Sequence, residues 1–164
     1  MSERGSSVPT EGPIKTRKTE WGSLSGERRK ELTDRTKGFG LEIIKLVSSM
    51  PAGQVGRVIS DQVLRSGTSV GANYRAACRA RSKAEFISKL GIVEEELDET
   101  QYWLEVSVEA GLLPSAHVRD LLIEADELLG IVVASIRTAR RSGQRIPQSA
   151  IRTPQPALRN PQSP

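Results

Sequence analysis

The sequence predicts an all-α fold, an antiparallel up-down-up-down four-helix bundle. Three observations carry this expectation. Apolar residues recur at three- to four-residue intervals through four consecutive segments, and Pro and Gly punctuate the chain between them. No stretch shows the two-residue alternation and turn chemistry of a β-hairpin. The first helix is expected over residues 27–49, with Leu32, Phe39, Ile43 and Val47 on one stripe and Pro51 and Gly53 ending it. The second, over residues 54–80, repeats Ile59, Val63, Val70, Tyr74 and Ala77. Ser82-Lys-Ala-Glu85 has the form of a capping box, in which Ser82 and Glu85 reciprocally satisfy free backbone N–H groups. It opens a third helix carrying Phe86, Leu90, Val93, Leu97 and Leu104, which Gly111 stops. Pro114 and Ser115 begin the fourth, with Val118, Leu121, Leu122, Ala125, Leu128, Leu129, Val132 and Ile136, and Gly143 and Pro147 close it. Long helices joined by short loops pack antiparallel, because a short loop leaves the next helix nowhere else to go.

The bundle accounts for residues 27–141 of a 164-residue chain. Residues 1–26 are rich in Ser, Gly and Thr, and residues 142–164 hold five Pro. Pro does not continue a helix, and polar segments bury too little apolar surface to offset the entropy of ordering. Both ends are therefore expected to be disordered tails. The formal net charge of +4 lies entirely in them, +1 at the start and +3 at the end, so the helical segment is neutral. No internal sequence repeat is expected.

The same counts exclude several function classes. One cysteine, Cys78, makes no internal disulfide, and with a single histidine, His117, it builds no Cys/His zinc site. No apolar run approaches the ~18 residues of a membrane span. The N-terminus lacks the apolar stretch of a secretory signal. A soluble cytoplasmic protein is expected. Aromatic residues make up only 4% of the chain, which argues against an RNA-binding sheet with stacking platforms.

The second helix carries Arg57, Arg65, Arg75, Arg79 and Arg81 against Asp61. The third carries Glu85, Glu94, Glu95, Glu96, Asp98, Glu99, Glu105 and Glu109 against Lys83 and Lys89. Charges of opposite sign on adjacent helices are expected mainly to pair, within or between subunits. The alternative is that the Arg cluster contacts phosphate. Arg65-Ser-Gly-Thr-Ser-Val-Gly-Ala72 holds five Ser, Thr or Gly residues, which are poor formers of a helix interior. Gly67 and Gly71, four apart on one face, point to close helix packing inside the bundle or across a subunit interface. Gly67-Thr-Ser69-Val-Gly71 also matches the Gly-x-Ser-x-Gly pattern, with Asp98 and His117 following in hydrolase order. That motif needs a sharp strand-to-helix turn, and here it lies inside a helical period, so no catalysis is expected. Residues 94–99 suggest a carboxylate metal site, but such bundles use Glu-x-x-His on two helices. Pro114 stands three residues before the only His, so neither metal nor cofactor is expected.

The stretch from Ile59 to Glu96 resembles the bacterial four helix bundle protein family. The most specific words are Leu64-Arg-Ser, then Ser69-Val-Gly-Ala-Asn73-Tyr-Arg75, and Glu99-Thr-Gln-Tyr-Trp-Leu104. This is also called the 23S rRNA intervening-sequence protein family, because some members are encoded inside inserts of 23S rRNA genes. The likeness covers most of residues 36–140. It implies a four-helix protomer that assembles into a homopentameric ring, with no established enzymatic activity. The family is distantly similar to the accessory variability determinant proteins of diversity-generating retroelements, pentamers that bind RNA and a reverse transcriptase. Many members carry Glu where this chain has Ala76, so a role needing an acid there is not implied.

Two functional readings follow. In the first, the protein is a non-enzymatic homo-oligomeric scaffold that binds nucleic acid, structured RNA above all. Its contacts are then Asn73, Tyr74, Arg75, Arg79, Arg81 and Lys89, with help from the tail residues Arg145, Arg152 and Arg159. Arg forks suit phosphate geometry, while Asn73 and Tyr74 add polar or stacking contacts. Its partners are then RNA or a ribonucleoprotein, a reverse transcriptase by resemblance, and no membrane. In the second, it is a protein-interaction adaptor whose charges serve subunit assembly without nucleic acid.

Overall fold

A computed structural model of the chain describes residues 26–142. They form α1 (Gly26–Ser48), α2 (Gln54–Ala77), α3 (Lys83–Glu109) and α4 (Ser115–Arg141), and no strand occurs among the described residues. Each helix packs antiparallel on the next in up-down-up-down order, as the periodicity predicts, with α4 returning beside α1. The predicted tails fall almost wholly outside the described residues. The apolar stripes meet in one core, with Ile43, Val63, Val70, Val93, Leu97, Leu104 and Leu128 fully buried. Val47, Phe86, Leu122 and Leu129 lie partly buried around it.

Helix boundaries agree with expectation except at the end of α2, which stops at Ala77 and not at residue 80. The Arg79 and Ala80 N–H groups donate to the carbonyls of Ala76 (3.0 Å) and Ala77 (3.1 Å), the tightened pattern that ends a helix. Ser82 then caps α3 by accepting from the Glu85 N–H at 3.1 Å. Glu85 Oε2 reaches back to the Arg81 N–H at 2.8 Å, one residue earlier than in a standard capping box.

The run of small residues in α2 serves packing inside the bundle. A Cβ on Gly67 would lie 2.7 Å from Ile43 Cγ1, and one on Gly71 would lie 3.1 Å from the Thr36 carbonyl oxygen. Only hydrogen at these two positions lets α1 lie this close to α2. On the other side of α2, the buried Thr100 hydroxyl donates to Ser66 Oγ across 2.9 Å, and Ser66 donates to the Gln62 carbonyl at 2.9 Å. A polar residue at that height is thus satisfied, and it ties α2 to α3.

Of the adjacent helix pairs, α1 and α4 touch least. A groove of about 580 Å³ opens between them over Phe39, Leu46 and Leu121, with His117 exposed at its edge. Arg35 bridges the two helices. Its Nε and Nη2 meet the two Glu124 carboxylate oxygens at 3.0 and 2.8 Å, and Nη2 meets Glu127 Oε2 at 2.7 Å. These carboxylates raise the Arg35 pKa, Glu124 contributing most.

The contrast between glycines is testable by urea unfolding. Gly67→Val must displace Ile43 or α1 and is expected to lower stability by about 1–3 kcal/mol. Gly91→Ala, in α3 with open space around the new Cβ, is expected to raise it by about 0.5–1 kcal/mol. Both should shift the midpoint at unchanged slope.

Candidate nucleic-acid interface

The helical segment is neutral in sum, yet its charges are sorted along the bundle axis. Antiparallel order brings the start of α1, the end of α2, the start of α3 and the end of α4 to one end. Those segments carry Arg28, Arg29, Lys30, Arg75, Arg79, Arg81, Lys83, Arg137, Arg140 and Arg141. Against these ten stand only Glu27, Glu31, Asp34 and Glu85. The rest of the described chain is correspondingly acidic. One hydrogen bond and one electrostatic influence place segments of this end close in space. Lys83 Nζ donates to the Arg140 carbonyl at 3.1 Å, and the Arg29 charge is near enough to act on the Tyr74 phenol. Arg75, Arg79, Arg81, Arg137, Arg140 and Arg141 are all exposed. Among the described residues none of these six pairs with a carboxylate, since the ion pairs that form belong to Arg35, Lys45 and Arg65.

Of the residues singled out in the sequence, the fold brings Arg75, Arg79 and Arg81 together at this end. Asn73 is half-buried and its Nδ2 donates to the Ser69 carbonyl at 3.0 Å, so part of its amide is committed to its own helix. Lys89 is half-buried on α3, about 9 Å along the helix from Lys83 at 1.5 Å per residue. Tyr74 requires a correction. It is only 2% exposed, inside the core, so its ring is unavailable for stacking on a base. Burial, with a further contribution from Cys78, raises its phenol pKa. The stripe that made Tyr74 a core candidate was the better guide. Arg145, Arg152 and Arg159 lie outside the described residues. The sequence reading missed Arg28, Arg29, Lys30, Lys83, Arg137, Arg140 and Arg141, because it treated each helix separately. Their common signal was available in the punctuation: antiparallel order alone places those four helix ends side by side.

The expected pairing of α2 with α3 holds within the protomer at Arg65 only, among the described residues. Arg65 Nη2 donates to Glu99 Oε1, and Nη1 lies 3.5 Å from Glu96 Oε2, an oxygen that accepts no hydrogen bond. The Trp103 indole N–H also donates to Glu99 Oε1, at 3.2 Å. The two carboxyls consequently shift in opposite directions. The Arg65 hydrogen bond holds Glu99 below its ordinary value. Burial pushes Glu96 up, with repulsion from Glu99 and Glu95 adding and Arg65 opposing.

Ser69, the hydrolase candidate, sits half-buried in the unbroken interior of α2, with no strand-to-helix turn to present its hydroxyl. Among the described residues no group of three His, Cys, Asp or Glu side chains is placed to hold a metal ion. No described helix is long and apolar enough to cross a membrane.

These features define an all-α four-helix bundle whose surface charge is polarised along its axis. The chain belongs to the 23S rRNA-intervening sequence protein family, which it matches over residues 28–134. Its fold is similar to the crystal structure of a protein of unknown function from the S23 ribosomal protein family of Bacteroides thetaiotaomicron. The two share 33% identity with a TM-score of 0.63, over 66% of this chain and 97% of that one. Nothing among curated proteins matches the chain.

The opposed shifts of Glu96 and Glu99 give a pH signature. A lowered folded pKa supplies stability that is present above the ordinary carboxylate range and lost as pH falls through it. A raised one costs stability as pH rises through that range. Urea midpoints measured from pH 3 to 7 should therefore diverge. Relative to the parent, Glu99→Gln loses ground as pH rises, and Glu96→Gln gains it. Parallel curves for the two variants would remove the assignment.

Proposed function

We propose that this protein is a non-enzymatic, homo-oligomeric scaffold that binds nucleic acid, structured RNA in particular, through the basic end of the bundle. The observation that carries the reading is the group of six exposed arginines at one end, none of them paired with a described carboxylate. Ion pairing among the described residues does not account for them. Guanidinium groups suit phosphate because their planar fork meets two oxygens at once. Membership of the 23S rRNA-intervening sequence family supports an RNA setting without naming the ligand. Assembly into a ring, which the family resemblance implies, repeats the basic end in every subunit, and weak contacts then multiply through effective concentration.

A second reading rests on one observation of its own. Glu95, Asp98, Glu105 and Glu109 are exposed along α3 and, among the described residues, have no cationic partner. A basic end on one copy and an acidic flank on the next can hold subunits together, which makes the protein an assembly adaptor without nucleic acid.

Light scattering on the full chain, with absorbance at 260 and 280 nm, tests both. The RNA reading expects an oligomer near five times the chain mass, carrying 260 nm absorbance that high salt removes. Replacing Arg79, Arg140 and Arg141 with Gln should leave the mass unchanged. It should lower the slope of log affinity against log salt by roughly 0.7–0.9 for each phosphate no longer neutralised. Loss of the oligomer in that variant, with no RNA bound by the parent, would instead establish the adaptor.

A further inference from the structure

The end of the bundle opposite the basic one carries two unlike surfaces. Among the described residues Val55 and Val58 are the most exposed large apolar side chains, at 62% and 56%. They stand three apart in the first turns of α2 and share one face of that helix. The loop from α1 lies against another side of α2, where Pro51 leaves no room for a Cβ on Gly56, and the two valines stay bare. Arg57, between them in sequence, is exposed and pairs with no described carboxylate. The second surface is a hollow of about 380 Å³ between the end of α3 and the start of α4. Buried Val118, half-buried Val108 and Leu122, and Ile123 at 54% exposure line it. Glu105 and Glu109 line it from α3, both exposed and without a described cationic partner, against the one Arg119 from α4.

We propose that the Val55 and Val58 face of one copy seats in the α3–α4 hollow of a second copy of this chain. This rests on the reading of the protein as a homo-oligomer. Joined, the two surfaces have the makeup of an interface, an apolar centre with a charged rim. The charges choose the occupant. Arg57 travels with the valines, and the hollow meets it with two carboxylates against one guanidinium. Groups that lack a partner on their own copy then pair across the contact. Two hollows face to face would set Glu against Glu, and two valine faces would set Arg57 against Arg57, so the contact is heterologous. A contact of that kind generates a ring when its rotation closes. Both surfaces are remote from the basic end, since Arg75 lies about 25 Å along α2 from Val58 at 1.5 Å per residue. Assembly through them uses the acidic flank of α3 and leaves the basic end of every copy open to RNA.

The test is light scattering on the full chain, with Val58→Asp and Ile123→Asp as separate variants. Both side chains are exposed, so helix content by circular dichroism and the urea midpoint should match the parent's. Each variant is expected to run as a single chain. The decisive sample is their equimolar mixture. The Val58→Asp copy keeps its hollow and the Ile123→Asp copy keeps its valines, so the mixture should form a dimer of twice the chain mass and nothing larger. Arg57→Glu should raise the concentration needed for assembly by about tenfold or more, through like charge at the rim. Adding Glu105→Arg and Glu109→Arg to that chain should restore assembly. Variants that stay single chains on mixing overturn the pairing of these two surfaces, and so does an Arg57→Glu chain that assembles like the parent. A parent oligomer whose mass survives both Asp substitutions overturns this interface alone and leaves the face to a different protein. A parent that is itself a single chain removes the homo-oligomeric reading.

Discussion

The close approach of α1 to α2 is the contact on which the rest of the bundle depends. With hydrogen at Gly67 and Gly71, Ile43 and the Thr36 backbone lie directly on α2. α2 then has one flank free for α3, where the Thr100–Ser66 hydrogen bond and the Leu97 and Leu104 side chains meet it. Packing energy is thus concentrated along the consecutive pairs, in which short loops already hold the helices adjacent. The closing contact, α1 with α4, has no such help from connectivity. There an Arg35 fork on Glu124 and Glu127 stands over an open groove. Partly exposed ion pairs of this kind contribute on the order of 0–1 kcal/mol each, so they orient α4 more than they stabilise it.

Antiparallel packing also decides where the charge goes. A neutral segment becomes a polar object because the basic residues cluster in the first turns of α1 and α3 and the last turns of α2 and α4. Helix dipoles do not explain this, since two positive and two negative helix ends meet there and cancel. The excess comes from side chains alone. Opposite-sign helices packed together would be expected to consume their own charges, but among the described residues only Arg65 pairs with α3 carboxylates. Arg75 and Arg79 lie nearer the end, where α3 offers Lys83 and Glu85, and the Glu85 carboxylate accepts from the Arg81 backbone N–H.

Much of the fold was legible residue by residue. Ile59, Val63 and Val70 announced the buried face of α2, Ser82 and Glu85 announced the start of α3, and Gly67 with Gly71 announced a close contact without saying with what. The candidate site was legible in a different way. Arg75, Arg79 and Arg81 stood out as a local run, whereas Arg137, Arg140 and Arg141 belonged to the last turn of another helix, and nothing local joined the two. Tyr74 shows the limit from the other side. Its neighbour Arg75 is basic, but helical period turns Tyr74 inward while Arg75 turns out.

By itself, then, the sequence determined the four helices, their order and the identity of the core, because each of these is written in spacing along the chain. Tertiary structure alone decided which helix fills the space beside Gly67 and which carboxylates reach Arg65. Those outcomes depend on distances across the bundle. Two residues far apart in sequence become neighbours only when packing sets the height at which one helix meets the next.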